Sequence, residues 1–275
     1  MTNWDTAPPP PPPLRLGLAG WLRALWRGAL IGSVTYAGLV LLLLVRLVEW
    51  PLFGQARPVT PWITQAVCRF ALFVLRLPLV VHGHPMTAAG AIVANHSSWL
   101  DIFVLNAVQR VYFVAKSEVE GWALIGWLAR ATGTVFITRK GVEAKKQQMV
   151  FESRLRAGHR LLFFPEGTCT DAVRVLPFKS TLFQAFFEPN LVRVMHIQPV
   201  TVVFQAPEGA DPRHYGWWGD MDFASHLLKT LATGRQGRVE VTFRPEVPVD
   251  AFENRKLLAL HCERVIRTAH THAAS

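Results

Sequence analysis

The residues best suited to chemistry lie in Ala91-Ile-Val-Ala-Asn-His-Ser-Ser-Trp-Leu-Asp101, an apolar run that ends in polar side chains and turns into a second apolar stretch. The pattern predicts a buried strand followed at once by a helix, with His96 at the strand's carboxyl end, where open α/β sheets place their ligand crevice. His96 and Asp101 are five positions apart, so on one continuous helix about 140° would separate them. With the histidine in the turn and the helix beginning at Ser97 or Ser98, the carboxylate of the first turn folds back onto the imidazole. One ring nitrogen is then held protonated, and the other is free to take a proton from an alcohol. A plainer role fits the same residues: Ser98-Trp-Leu-Asp101 matches a capping box, in which Asp101 serves only the amides at the helix start.

Three further segments add polar groups to strand ends. Gly133-Thr-Val-Phe-Ile-Thr-Arg139 delivers an arginine whose planar guanidinium suits a phosphate or carboxylate. Arg160-Leu-Leu-Phe-Phe-Pro-Glu-Gly-Thr168 closes an apolar strand with Glu166 and with Gly167, which permits close backbone approach. The amides around Gly167 and Thr168 can then hold a polar substrate or a developing oxyanion. Ile197-Gln-Pro-Val200 puts a proline where a central strand begins or bulges. Lys116, after another strand, either contacts an acidic donor or phosphate or is a solvated surface charge.

The ordered set NHSSWLD, GTVFITR, FPEGT and IQPV resembles the four blocks of the glycerolipid acyltransferases, the PlsC-like family, over roughly residues 81–203. The resemblance implies an N-terminal helical membrane element before an α/β domain. It implies transfer of a fatty acyl group from acyl carrier protein or coenzyme A to a lysolipid hydroxyl, with no metal, no cofactor and no acyl-enzyme. In that scheme His96 is the base and Asp101 its partner, Arg139 and Glu166 bind or orient the acceptor, and Gly167 and Thr168 shape its pocket. One departure bears on the acceptor: the family commonly continues its third block with Arg-Ser, whereas Cys169-Thr-Asp171 stands here. A similar branch with Gly-Thr-Ser-Thr-Asp acylates lyso-ornithine lipid, whose head group carries an amine and a carboxylate. The expected reaction is therefore acylation of lyso-ornithine lipid, with lysophosphatidic acid as the alternative acceptor. Asp171 is a candidate partner for the amine and Arg139 for the carboxylate, while Arg174 and Lys179 keep positive charge nearby. A cysteine nucleophile at Cys169 is the less favoured mechanism, because carboxylates beside a thiol do not activate it.

These side chains need a scaffold, and 275 residues with 51% hydrophobic and 17% charged content suffice for a real core. The formal charge of +10 fits an anionic partner such as a membrane surface or an acidic carrier protein. Its dispersed basic residues match no nucleic-acid motif. A non-catalytic membrane adaptor is the rival from another class. Cys68, Cys169 and Cys262 are odd in number and lack ligand spacing, so neither a disulfide framework nor zinc is expected. His82 and His84, without a paired ligand pattern, read as structural.

The six prolines Pro8–Pro13 predict an extended tail over residues 1–20. The uncharged run Gly28–Val45, flanked by Trp21, Trp26 and Trp50, predicts a transmembrane or membrane-embedded helix over residues 21–50 with snorkelling arginines. Basic residues on both sides leave its orientation open, and the resemblance places the catalytic domain on the cytoplasmic face of the inner membrane. An amphipathic helix over residues 59–78, with Thr64, Gln65, Arg69 and Arg76 as its polar stripe, either lies in the interface or packs on the core. The α/β domain occupies residues 79–275, a mixed, mostly parallel sheet flanked by helices. Strands are expected near residues 79–82, 91–94, 111–115, 134–138, 160–164, 196–204 and 239–244, and helices near 99–108, 122–132, 142–157, 180–187 and 251–271.

Overall fold

The computed structural model describes residues 16–88, 90–137 and 144–274, so the proline run and Thr138–Arg139 lie outside the described residues. Two helices, α1 (Leu18–Phe53) and α2 (Thr60–Leu75), precede β1 (Leu79–His82), β2 (Gly90–Ala94), α3 (Leu100–Val108), β3 (Tyr112–Lys116), α4 (Ile125–Thr132) and β4 (Val135–Ile137). After them come α5 (Ala144–Arg156), β5 (Leu161–Phe163), β6 (His196–Gln205), α6 (Phe223–Ala232), β7 (Arg238–Phe243), β8 (Val247–Pro248) and α7 (Arg255–Ala274). The described strands form one sheet in the order β1-β7-β6-β2-β5-β3-β4, with β8 beside β6. Pairings are parallel except β6 with β7 and with β8. This is the mixed, mostly parallel α/β sheet that the apolar runs predict.

Strand β2 is buried along its whole length because both faces of the sheet are covered. Ile92 and Ala94 join the core beneath α2, α3 and α6, while Ala91 and Val93 join the core beneath α5 and α7. Residues 180–187 form a 3₁₀ segment rather than an α-helix, with Phe183 and Phe186 pressed onto Phe163. Helix α6 lies outside the expected set, although the sequence marks it: Asp222 caps its start by accepting the Ser225 amide at 2.8 Å.

Helix α1 begins at Leu18, so the expected tail ends earlier than residue 20. Its 36 residues are long and apolar enough to cross a membrane by length and composition. The arginines of its first half do not snorkel. Arg27, 2% exposed, gives Nη1 to the carbonyls of Leu231 (3.0 Å) and Thr233 (2.7 Å), and Arg23 gives Nε to Ala232 (2.9 Å). These carbonyls end α6, where unpaired oxygens and the negative end of the helix dipole favour cations. Near the other end of α1, the Glu49 carboxylate accepts the amides of Val59 (2.8 Å) and Thr60 (3.2 Å), supplying the start of α2 with the cap that Val59 lacks.

Of its two expected placements, helix α2 shows packing on the domain. Two residues of its polar stripe bond to the domain: Gln65 Nε2 and Arg69 Nε both donate to the Ala107 carbonyl at the end of α3, at 3.2 and 2.8 Å. Cys68, Leu72 and Leu75 enter the core, while Trp62 and Phe73 stand exposed, Phe73 at 78%.

Candidate active site

Parallel strands β2, β5 and β3 point the same way, so the residues that follow them share one sheet edge: His96 after β2, Glu166 after β5, and Lys116 closing β3. Neighbouring strands lie about 4.8 Å apart, which puts His96 and Glu166 within reach of one another and sets Lys116 a strand further away. Lys116 is exposed there. The segment carrying Arg139 follows β4, beyond the described residues.

The turn after β2 is built from backbone amides and two carboxylates. Asp101 Oδ2 accepts the amides of Ser97 (2.7 Å) and Ser98 (3.0 Å) and meets His96 Nδ1 at 2.7 Å. Capping and pairing with histidine are thus done by one oxygen. Asp101 is completely buried at the positive end of α3, where a carboxylate is favoured. Asn95 closes the strand by exchanging two 2.8 Å bonds with the backbone of Val202 on β6. The imidazole stacks on Phe164, with centroids 3.9 Å apart and planes 9° from parallel, and keeps 17% of its side chain exposed. The ring is therefore both aimed and reachable.

Glu166 is 2% exposed, and its two oxygens accept the amides of His96 (2.7 Å) and Leu176 (2.6 Å). Geometrically it ties the histidine turn to the loop after β5. Burial pushes its carboxyl up to about 8, only partly opposed by those amides and by His96. Gly167 has φ +70°, and a Cβ there would lie 2.7 Å from Lys179 Nζ, so the glycine lets the lysine cross the turn. Its amide already donates to Phe164 O at 3.0 Å, which leaves Thr168, half-buried, as the next amide along.

Asp171 does not stand ready for an amine: it is 1% exposed and pairs with Arg174 Nε at 2.7 Å. Cys169 is the residue the sequence reasoning undervalued. Its sulfur lies 3.1 Å from His96 Nε2, so a thiol, an imidazole and a carboxylate stand in a row. Thr170 N donates to His96 O at 2.8 Å, which brings the two loops together. Only the adjacency of β2 and β5 could have revealed this contact. For the His96 imidazolium, burial works against the charge, but Cys169 and Asp101 outweigh it and raise the ring to about 10.

An imidazole oriented by a buried carboxylate at the edge of a mostly parallel sheet has the geometry of a general-base pair. The fold is shared with the crystal structure of the 1-acyl-sn-glycerophosphate acyltransferase PlsC from Thermotoga maritima. That likeness has a TM-score of 0.58 at 19% identity, covering 90% of this chain and 98% of the other. The acyltransferase family model matches residues 79–203. A lyso-ornithine lipid O-acyltransferase of Rhodobacter capsulatus is 57% identical over 264 residues, 96% of this chain and 95% of its own length. A 1-acyl-sn-glycerol-3-phosphate acyltransferase of Neisseria gonorrhoeae is 38% identical over 97 residues, 34% of this chain and 37% of its own. The chain belongs to the acyltransferase family and is an enzyme of lipid biosynthesis, and its long apolar N-terminal helix is consistent with membrane association.

Proposed function

We propose that this enzyme transfers a fatty acyl group from acyl carrier protein or coenzyme A to the free hydroxyl of lyso-ornithine lipid. The contact between His96 Nδ1 and Asp101 Oδ2 at 2.7 Å carries the mechanism. The neutral ring, a minority form near pH 7 because Cys169 and Asp101 raise His96 to about 10, takes the acceptor's proton at Nε2 as the oxygen attacks the thioester carbonyl, and Asp101 stabilises the imidazolium that forms. General-base help of this kind contributes about 10²–10⁴ in rate. The amide of Thr168 is a candidate donor to the oxyanion. Glu166 positions the His96 turn, while Lys116 at this sheet edge offers positive charge to the acceptor head group or the donor phosphate, a role the sequence also gives Arg139.

The acceptor is supported by the relative that matches this chain almost end to end. Phosphatidic acid synthesis is the second reading, supported by the shorter match to the Neisseria protein. The membrane element holds the catalytic domain against the inner membrane from the cytoplasmic side, beside an acceptor that partitions into lipid. The buried attachment of Arg27 to α6 favours α1 lying along the domain with its apolar face in lipid. The test is an assay of the full-length protein in vesicles offering lyso-ornithine lipid and lysophosphatidic acid side by side, with acyl carrier protein and coenzyme A thioesters in turn. Acylation of lyso-ornithine lipid alone is expected, and acylation of lysophosphatidic acid alone would replace the reading with its alternative.

A further inference from the structure

We propose that the sulfur of Cys169 marks the seat of the acceptor oxygen, and that a group attached to this sulfur closes the site to the lysolipid. Sγ lies 3.1 Å from Nε2 of His96, the ring nitrogen opposite the one held by Asp101. That nitrogen has a single place for a hydrogen-bond partner, so the thiol and the acceptor hydroxyl compete for it. The loop that carries the sulfur is pinned on both sides, Gly167 N donating to Phe164 O at 3.0 Å and Thr170 N to His96 O at 2.8 Å, so the sulfur leaves Nε2 only by turning about χ1. Phe164 closes one face of the imidazole, stacked at 3.9 Å. The inference deepens the proposed mechanism and rests on His96 as the base.

The other two cysteines provide an internal control. Cys68 and Cys262 are buried in the two cores, and burial pushes each thiol up to about 12, whereas Cys169 is half-exposed against an imidazole. An alkylating agent such as iodoacetamide therefore has one preferred target. The S–C bond forms as the C–I bond breaks, iodide leaves, and the proton shared between the sulfur and His96 Nε2 passes to solvent. The carbamidomethyl group then occupies the space in front of the base.

The experiment treats full-length protein in vesicles with iodoacetamide and follows labelling of each cysteine by mass spectrometry alongside residual acyl transfer. Labelling of Cys169 should track the loss of transfer one for one, and saturating lyso-ornithine lipid should slow both at least about tenfold. Cys169→Ser should resist inactivation and move the acidic limb of kcat/KM to lower pH, because the strongest attraction raising His96 is gone. Cys169→Ala should move it the same way, with a smaller side chain in the turn. Full transfer by labelled enzyme, or labelling indifferent to the lysolipid, would overturn the inference. A folded but inactive Cys169→Ser would overturn it too, in favour of a thiol nucleophile. His96→Ala separates the two levels: slower labelling is expected from loss of the proton acceptor, while undiminished transfer would sink the base itself.

Discussion

Replacing Asp101 by asparagine isolates the charge behind His96 with little change of shape. Asparagine can set its oxygen where Oδ2 now receives Ser97 N, Ser98 N and His96 Nδ1. Its amide nitrogen then takes the place of Oδ1, a buried atom without a hydrogen-bond partner among the described residues. A buried donor left unpaired costs about 1–3 kcal/mol, so the variant should fold with a lowered Tm. The catalytic loss is larger. Unit charges about 4 Å apart attract by about 4 kcal/mol at an effective dielectric of about 20, an upper value for what Asp101 gives the imidazolium. Losing about 2–4 kcal/mol corresponds to a fall of roughly 30- to 1000-fold in kcat. The KM for lysolipid should move less than about threefold, because the carboxylate is completely buried and touches no part of the acceptor. Steady-state kinetics on vesicles, with circular dichroism as the control for folding, measure both quantities. The His96→Ala, Asp101→Asn double variant should be no slower than His96→Ala alone, since the two act as one unit. A folded Asp101→Asn enzyme within about threefold of the parent, or losses that multiply in the double variant, would refute the coupling of charge to catalysis.

Other expectations follow from the same geometry. Glu166 is raised from 4.5 to about 8, so the folded state keeps a proton that the unfolded chain releases. Its contribution to stability is therefore present below about pH 4.5 and is lost as pH rises through about 8. Glu166→Gln should remove that dependence from urea titrations while leaving one of two buried amides without an acceptor, at a cost of about 1–3 kcal/mol. Arg27→Ala leaves the carbonyls of Leu231 and Thr233 uncapped and should cost about 2–3 kcal/mol, seen as a lower Tm and faster proteolysis between α1 and the domain. Phe73→Asp, at a site 78% exposed, should leave Tm nearly unchanged and weaken binding to vesicles. Unaltered vesicle binding would show that this face of α2 meets water.

The parts of the site that are close together along the chain are legible from the residues alone. An apolar run ending in Asn95 and His96, with a carboxylate one helical turn further on, needs only local backbone geometry to bring Asp101 Oδ2 onto Nδ1. The strands are legible for the same kind of reason: alternation and β-branching are local properties of the chain. Helix α6 is short, ten residues, and its cap Asp222 declares itself only through the Ser225 amide it accepts.

Tertiary structure alone decided which charges are already engaged. Glu166 and Asp171 look available to a substrate in the sequence, yet the first is taken by amides of His96 and Leu176 and the second by Arg174. Arg27 has the setting of a membrane-surface residue and instead ends a helix about two hundred positions away in the chain. Cys169 meets the His96 ring because β2 and β5 are neighbours in the sheet, a pairing set by packing across the whole domain. Local sequence determines the identity and direction of a side chain. Its partners follow from the order of strands, which is fixed by burying two cores at once.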